Sequence, residues 1–317
     1  MSRVFSALLR RISGMAVVLA LVVTVVFVIV RVTPGDPAAV MLGADATPAD
    51  IAELRARLGL DAPLLEQYGR FVLDVLSGDL GQSIFLGQPV TAALAARAEP
   101  TFFLTLFSIL IAVAIALPVG ILSAVKRGTL FDQIVVGVTM IAASVPSFWL
   151  GLILIQTFAV GLGWFPASGY GGPDTPFLER LQHLVLPALA LGIVNSALIT
   201  RFTRAAILDV LGDDYVRTAR AKGAGPGRVI LKHALKNALI PIITVIGLSV
   251  ALLVAGAVVT ETVFGRPGMG KLLYDAVMGN DYNLALLALL LVALVTMLAT
   301  LAADVAQHWL DPRLGGA

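Results

Sequence analysis

The chain has 317 residues, of which 58% are apolar and 13% are charged, and its net charge is +2. Soluble domains carry about 45–50% apolar and about 25% charged residues, so this composition, with a mean hydropathy of +0.94, excludes a water-soluble fold, a disordered chain and a collagen. The absence of cysteine excludes disulfides, thiolate zinc sites and cysteine nucleophiles.

The apolar residues are concentrated in separate stretches, which is typical of a polytopic membrane protein. A bilayer core about 30 Å thick requires about 20 mostly apolar residues in a helix that crosses it. We predict six such transmembrane helices: Ile12–Val30, Thr101–Ala124, Gln133–Val160, Leu184–Thr200, Ala238–Val259 and Leu284–Ala303. The third is long and contains Pro146, so we expect a tilt or kink there. Pro118 and Pro187 interrupt two other stretches, which neighbouring helices can compensate.

The first stretch follows basic residues, as the apolar part of a signal peptide does. Its apolar run is too long and no small-residue cleavage site follows, so we predict an uncleaved anchor helix. An external segment follows, with helices near Pro48–Leu58 and Leu64–Leu76, where apolar residues recur at three- and four-residue steps. We therefore divide the chain into residues 1–100, the anchor with this segment, and residues 101–317, a core of five spans.

The charges predict the orientation of the six spans. Of the 22 Lys and Arg residues, 14 lie in the N-terminus, the C-terminus and two of the loops, while 14 of the 20 Asp and Glu residues lie on the other side. Because basic residues accumulate on the cytoplasmic side, we expect both termini there.

The predicted spans contain no ionisable residue, which argues against a proton- or ion-coupled carrier. They also lack the Ser–His or paired-Asp arrangement of an intramembrane protease. The three histidines, His183, His233 and His308, are scattered at or beyond span ends. We predict no catalytic or metal site, and therefore no enzyme.

One segment fits the spacing of a phosphate-binding P-loop, from Gly265 to Lys271. The motif requires Ser or Thr next, but Leu272 follows, and no apolar strand precedes a helix here. The segment also lies on the predicted external side, away from ATP. We interpret it as a Gly/Pro-rich external turn.

The loop between the fourth and fifth spans, residues 201–237, contains eight Lys and Arg residues. Asp213 and Asp214 are placed to cap a short helix that ends at Gly223, and Pro226 suits the first position of a second helix, Gly227 to about Lys236. Two such helices could lie on anionic lipid or form a docking surface for a cytoplasmic protein. The residues alone leave both open.

Several motifs resemble those of a known family. The segments Tyr215–Gly223 (YVRTARAKG) and Leu231–Pro241 (LKHALKNALIP) resemble the coupling loop of peptide-type ATP-binding-cassette permeases, specifically the first permease subunit of bacterial dipeptide, oligopeptide and nickel importers. Further matches, which cover nearly the whole chain, are Pro34–Pro37 (PGDP), Leu58–Asp61 (LGLD), Gly78–Gly81 (GDLG), Phe264–Gly270 (FGRPGMG), Asp281–Tyr282 (DY) and Asp311–Arg313 (DPR).

The chain departs from the broader permease signature at two places. That signature has Glu-Ala-Ala six residues before a Gly, and Leu-Pro further on. Here Arg217-Thr218-Ala219 stands at the first place and Leu235-Lys236 at the second. The glutamate of the signature is therefore replaced by a cation.

The resemblance implies an all-α polytopic protein with the type I importer permease fold, in the bacterial plasma (inner) membrane. Its partners would be a second homologous permease, two cytoplasmic ATPase subunits and an external substrate-binding protein, with no nucleic acid. ATP and Mg²⁺ would bind the ATPase subunits, and this chain would hold no cofactor. The expected substrates are di- or oligopeptides, with nickel or metal chelates and glutathione as alternatives of the same family. A different class, an ATP-independent channel or secondary carrier, is the remaining alternative.

The resemblance also implies where the sites lie. We predict that the ATPase contact contains Tyr215, Arg217, Ala219, Lys222, Gly223 and His233. The alternative is that the loop cations only satisfy the inside-positive bias. Candidates for the translocation pathway are Ser144, Ser147, Gln156, Asn195 and Ser196, although such residues also form hydrogen bonds between spans. The external segment covers the pathway mouth, contacts the binding protein or forms a structural cap.

Overall fold

The computed structural model describes residues 2–32, 37–43, 46–57, 59–83, 85–171 and 175–310. These residues are largely helical, and their β-structure is one isolated bridge between Gln82 and Pro89. The predicted all-α class is confirmed. Two of the matching motifs, Pro34–Pro37 and Asp311–Arg313, lie mostly or wholly outside the described residues.

Thirteen α-helices follow one another along the described residues. They are α1 (Ser2–Val32), α2 (Pro37–Leu42), α3 (Pro48–Arg57), α4 (Leu64–Ser77), α5 (Val90–Val125), α6 (Leu130–Ser144), α7 (Ser147–Leu154), α8 (Phe177–Leu211), α9 (Asp214–Ala221), α10 (Pro226–Arg228), α11 (Leu235–Val263), α12 (Met269–Met278) and α13 (Tyr282–Leu310). Helices α3 and α4 are the two helices predicted in the external segment.

Four helical segments are long and apolar enough to cross a membrane: Val90–Val125, Phe177–Leu211, Pro226–Val263 and Tyr282–Gln307. They contain the second, fourth, fifth and sixth predicted spans. Each helix is longer than the predicted span it contains. Only the part in lipid requires apolar side chains, and the helix continues into water until a turn residue ends it. In α1 the apolar part, Ser13–Ile29, is shorter, and its role as the first of six spans stays a prediction.

The third predicted span is two helices bent by 98° rather than one kinked helix. The bend lies between α6 and α7, and Pro146, which has no N–H to donate, stands directly before α7. A π-helical stretch, Ile155–Gly161, continues α7. The expected kink at Pro146 is therefore confirmed, and its angle is close to a right angle.

The bent pair crosses the bundle from one end to the other. Near its start, Asp132 binds Arg204 of α8 at 2.7 Å, and beyond its end the Ser168 carbonyl lies 2.9 Å from Nδ1 of His183, also in α8. The two contacts are 21 residues apart on α8, which corresponds to about 32 Å of helix. The pair is therefore one broken span.

Helices α5 and α8 pack closely along their length because glycines bring the backbones together. A Cβ added to Gly120 would lie 2.8 Å from Cβ of Thr203, and one added to Gly192 would lie 2.8 Å from Ile111. Such small-residue contacts are typical of helix packing in lipid. Buried Leu104 of α5 and Leu191 of α8 extend the contact toward α11.

The two ends of the described chain lie at the same end of the bundle. Arg11 of α1 forms an ion pair with Asp304, near the C-terminal end of α13. Six crossings predict the same arrangement, and the assignment of this end to the cytoplasm stays a prediction. The domain boundary predicted after residue 100 also stays a prediction, and residue 100 lies inside α5.

Candidate functional site

The loop predicted over residues 201–237 is shorter in the structure, because α8 continues to Leu211. Helix α9 begins at Asp214, and Gly223 then takes the left-handed conformation, with φ +80°, which glycine adopts without a steric penalty. The helix predicted to end at Gly223 is therefore confirmed, and Pro226 begins the next helix as predicted. Asp213 precedes α9, but its side chain forms no capping hydrogen bond, so the predicted side-chain cap is wrong at this residue.

The second predicted helix of the loop, Gly227 to about Lys236, is not a separate element. Helix α10, a π-helical stretch Val229–Ala234 and α11 form one continuous helical segment from Pro226 to Val263. The sequence suggests two elements because the start of this segment is basic and amphipathic and the rest is apolar. No turn residue separates the two parts, however. The end of the loop is therefore continuous with the fifth predicted span.

Helix α9 packs against the bundle through one buried residue and carries a row of exposed or half-buried side chains on another face. Val216 is completely buried. Tyr215, Thr218, Ala219 and Lys222 follow the i, i+3, i+4, i+7 spacing that places side chains on one helix face. The Tyr215 hydroxyl accepts a hydrogen bond of 2.7 Å from Nδ2 of Asn237 in α11, which holds α9 against the following helix.

This face of α9 forms one wall of a groove of about 680 Å³. Residues from α9, the turn after it and the start of the next helical segment line the groove: Tyr215, Thr218, Ala219, Lys222, Gly223, Ala224, Arg228, Lys232 and His233. Five of the six residues predicted at the ATPase contact are thus brought together. The sixth, Arg217, lies outside the groove, with its side chain 72% exposed and 3.4 Å from Asp214.

The groove is basic. Lys222, Arg228 and Lys232 are exposed, His233 is half-buried, and no acidic residue is among the lining residues. In the described part of the chain, the three cations have no carboxylate within ion-pair distance. The groove therefore concentrates positive charge that the chain itself does not neutralise.

The groove lies at and beyond the edge of the lipid. The predicted fourth span ends at Thr200 and the fifth begins at Ala238. Helix α8 continues for 11 residues to Leu211 and the next segment begins 12 residues before Ala238, so α9 lies about 17 Å beyond the apolar layer. Headgroups extend only about 5–8 Å on each side. On these predicted span boundaries, α9 is expected outside the headgroup layer.

An ion pair connects the end of α8 to the broken span. Arg204 donates from Nε and Nη2 to the two carboxylate oxygens of Asp132, at 2.7 and 2.8 Å. Ser123 Oγ and the Gly128 N–H donate to the same carboxylate, at 2.5 and 2.9 Å. Sequence reasoning missed this site, although both charges flank predicted spans on the same side of the membrane.

The predicted pathway residues are not assembled into one site by any contact in the described residues. Ser144, Asn195 and Ser196 donate to carbonyls of their own helices, at 3.1, 2.9 and 2.6 Å. These three bonds lie within single helices, so they are not the hydrogen bonds between spans that the sequence offered as an alternative to a pathway role. Ser147 and Gln156 lie in the second half of the broken span, where Gln156 is exposed and Ser147 half-buried. Their role in the pathway stays a prediction.

At the opposite end of the bundle, the glycine-rich turn binds a carboxylate of its own chain. Glu261, fully buried near the end of α11, accepts hydrogen bonds from the N–H groups of Gly270 and Lys271, at 2.8 and 3.0 Å. Thr101 Oγ1 of α5 donates at 2.5 Å and accepts from the Met269 N–H at 2.8 Å. The carboxylate thus occupies the position where a P-loop would hold a phosphate, and the turn is structural.

Two further charged residues are buried at this end. Asp281 accepts from Ser83 Oγ at 2.6 Å and from the N–H groups of Phe85 and Leu284 at 3.1 and 3.0 Å. Arg266 donates from Nη1 to the His183 carbonyl at 3.2 Å, and burial lowers its pKa to about 10 against the opposing effect of nearby Glu261. The described residues contain no group of three or more His, Cys, Asp or Glu side chains that could hold a metal ion.

Comparison with known proteins identifies the family. Residues 116–316 match the family described as binding-protein-dependent transport system inner membrane component, and residues 4–93 match its N-terminal model. A solved structure of the MetNI methionine ABC transporter in an inward-facing conformation has the same fold, with a TM-score of 0.59 at 21% identity over 69% of this chain and 96% of that one.

Curated relatives match over nearly their whole length. A probable peptide ABC transporter permease protein of Sinorhizobium fredii is 40% identical over 97% of this chain and 98% of its own. A dipeptide transport system permease protein of Alkalihalophilus pseudofirmus is 38% identical over 96% and 98%, and a glutathione transport system permease protein of Pectobacterium atrosepticum is 41% identical over 96% and 97%. The chain therefore belongs to the family of binding-protein-dependent transport system inner membrane components, and is a multi-pass permease subunit with the type I importer fold.

Proposed function

We propose that this chain forms half of the translocation pathway of an ATP-driven importer of di- or oligopeptides. A second homologous permease supplies the other half, two cytoplasmic ATPase subunits bind ATP and Mg²⁺, and an external binding protein delivers the substrate. The names of two of the relatives above support a peptide substrate. The third relative is named for glutathione, which is itself a tripeptide.

The observation that supports this mechanism best is the groove beside α9. Its position beyond the headgroups and its five predicted contact residues fit a docking site for the ATPase subunits. When the ATPase pair closes on ATP, α9 moves with it. The ion pair between Arg204 and Asp132 then carries the movement from α8 to the broken span, and the continuous segment Pro226–Val263 carries it to the fifth span.

The buried carboxylates support ATP-driven transport over a proton-coupled carrier. A proton relay needs a titratable group that can exchange its proton across the membrane. Asp132 is bound by Arg204, Ser123 and Gly128, and Glu261 by Thr101 and two backbone N–H groups. Because both carboxylates already accept hydrogen bonds from internal donors, we expect the energy for transport to enter through the coupling loop.

The first test is gentle purification of the tagged chain from its host membranes, with identification of co-eluting proteins by mass spectrometry. A second permease and one or two P-loop ATPases support the proposal. Recovery of the chain alone across several mild detergents overturns it in favour of a channel or carrier. Proteoliposomes containing the complex then separate the substrates, by ATP-dependent uptake of a labelled dipeptide, of glutathione and of a nickel chelate.

Two alanines of α9 provide a matched test of the groove. Ala219 lines the groove and Ala221 does not, so Ala219→Trp fills the site while Ala221→Trp leaves it open. We expect Ala219→Trp to abolish substrate-stimulated ATP hydrolysis and Ala221→Trp to retain it. Equal activity of the two variants would contradict docking in this groove.

A further inference from the structure

The charge of the groove identifies the chemistry of its occupant. We infer that the groove binds carboxylate side chains of an acidic segment of the ATPase subunit, which rests on the proposed function of the groove as the docking site. Lys222, Arg228 and Lys232 surround it with no ion-pair partner in the described chain, and none of its lining residues is acidic.

The shape and donors of the groove suit a carboxylate. Ala219 and Gly223 have little or no side chain, so the floor between the cations is open. An arginine offers a planar fork that matches both oxygens of a carboxylate, and lysines add mobile point charges. Tyr215 is held in place by Asn237 at 2.7 Å, which fixes one wall. An acidic side chain entering here meets cations from both helical segments that line the groove.

The residues around the groove set the sign of the contact. Asp214, the acidic residue of α9, lies 3.4 Å from Arg217 outside the groove, and no lining residue is acidic. The negative charge opposite Lys222, Arg228 and Lys232 is therefore expected from the ATPase subunit.

Lipid headgroups are the other anions near this end of the bundle. Lys232 stands six residues before Ala238, at the near edge of the groove, or about 9 Å beyond the apolar layer. Lys222 and Gly223 lie further out, next to α9. Since headgroups reach only about 5–8 Å, Lys222 is expected beyond the lipid and Lys232 at its outer edge on the predicted span boundaries.

A zero-length carbodiimide crosslink tests the inference directly, because it joins a lysine amine to a carboxylate only when the two are in contact. The probe is the co-purified complex of this chain with its permease partner and ATPase subunits, in nanodiscs. We expect crosslinks from Lys222 and Lys232 to Asp or Glu of the ATPase, located by mass spectrometry. Lys126, in the α5–α6 turn at the same end of the bundle, is the internal control and should give none.

Charge-reversed variants test whether the contact contributes to binding. The triple variant Lys222→Glu, Arg228→Glu, Lys232→Glu should retain the ATPase at least about tenfold more weakly in low salt, since each exposed pair contributes a factor of about 1.5–5. The neutral variant Lys222→Met, Arg228→Met, Lys232→Met should lose less and become insensitive to salt between about 0.05 and 0.5 M. Arg217→Glu, outside the groove, should change retention little. Lysines placed at the crosslinked ATPase carboxylates should restore binding to the triple variant.

The outcomes separate the two levels of the proposal. If the wild-type chain retains the ATPase but neither lysine crosslinks and charge reversal leaves binding unchanged, the docking function stands and the inference fails. If the reversals change only the dependence on phosphatidylglycerol in the nanodiscs, the groove binds lipid and the inference also fails. If the wild-type chain retains no ATPase, the proposed function itself is wrong. Thermal unfolding of the neutral variant shows whether the loop remains folded.

Discussion

The two ends of the helix bundle differ in whether their charged side chains are buried and hydrogen-bonded or exposed and unpaired. At the end predicted to be external, the carboxylates of Glu261 and Asp281 are completely buried and each accepts three hydrogen bonds from the same chain. At the other end, Lys222, Arg228 and Lys232 surround an open groove without an ion-pair partner in the described residues. The two buried carboxylates are satisfied within the chain, whereas the cations of the groove remain available to a partner.

The difference follows from the free energy of desolvation. A buried carboxylate without donors costs several kcal/mol, so such a group persists only when its hydrogen bonds are made internally. Exposed lysines and arginines keep their hydration and cost the fold almost nothing when left unpaired. We therefore expect substitutions at the external end to reduce stability, and substitutions in the groove to reduce coupling while the bundle stays folded.

The largest loss of stability is expected for Glu261→Ala. The substitution leaves the N–H groups of Gly270 and Lys271 and the Thr101 hydroxyl buried without their acceptor. At about 1–3 kcal/mol for each of these three groups, the free energy of unfolding should fall by at least about 3 kcal/mol. Thermal unfolding of the detergent-purified chain measures this. Glu66→Ala, at an exposed glutamate, should change it by less than about 0.5 kcal/mol. Similar losses for the two variants would contradict a structural role for the Glu261 site.

A slightly smaller loss is expected for Gly268→Ala. A Cβ at this residue would overlap the Glu261 carboxylate, which is itself held by three donors and cannot move away. Overpacking of this kind costs about 1–3 kcal/mol. Gly137 has open space around its Cβ position and lies within α6, so Gly137→Ala should be neutral or slightly stabilising. The same unfolding assay compares them, and equal stabilities would show that the carboxylate does not constrain the turn.

Next in size is Asp132→Asn, which weakens the link between α8 and the broken span. The carboxylate is buried, while the Arg204 side chain is 25% exposed. The free energy of unfolding should therefore fall by about 2 kcal/mol, less than for a fully buried ion pair. Asp214→Asn removes one partner of an exposed pair and should cost less than about 0.5 kcal/mol. We also expect Asp132→Asn to reduce substrate-stimulated ATP hydrolysis relative to basal hydrolysis. Unchanged stimulation would show that coupling does not pass through this pair.

Sequence patterns predicted the parts of the fold that depend on local chemistry. Apolar stretches located the long helices, and Gly223 and Pro226 located the turn after α9, because lipid burial and backbone conformation constrain individual residues. The buried polar sites were not predicted. Asp132 and Arg204 are 72 residues apart and Thr101 and Glu261 are 160 apart, and the two members of each pair look like ordinary polar residues at span ends. Only packing of the helices brings them together.

The near right angle at Pro146 was also beyond sequence reasoning. A proline in an apolar stretch predicts a kink, but its magnitude depends on what the two halves pack against. Tyr215 and Ala219 lie on one face of α9, and the turn at Gly223 brings His233 of the next segment alongside them, while Arg217 falls on another face of α9. The motif marks the segment, and helical geometry decides which side chains face the partner.

Gly223→Ala is expected to change stability least but to reduce substrate-stimulated ATP hydrolysis strongly. Gly223 has a φ of +80° and open space around its Cβ position, so alanine meets no neighbour and costs only the left-handed conformation, about 1–2 kcal/mol. Asparagine tolerates this conformation better, so Gly223→Asn should be closer to the wild-type protein, and Gly227→Ala, within α10 and without positive φ, should be neutral. Because α9 and the next helix form the two walls of the groove, relaxation of the turn in Gly223→Ala should displace the walls and reduce substrate-stimulated ATP hydrolysis more than it reduces the unfolding temperature. Parallel losses in both measurements would instead mean that Gly223 serves only the fold, and the contrast between the two ends of the bundle would then not extend to this turn.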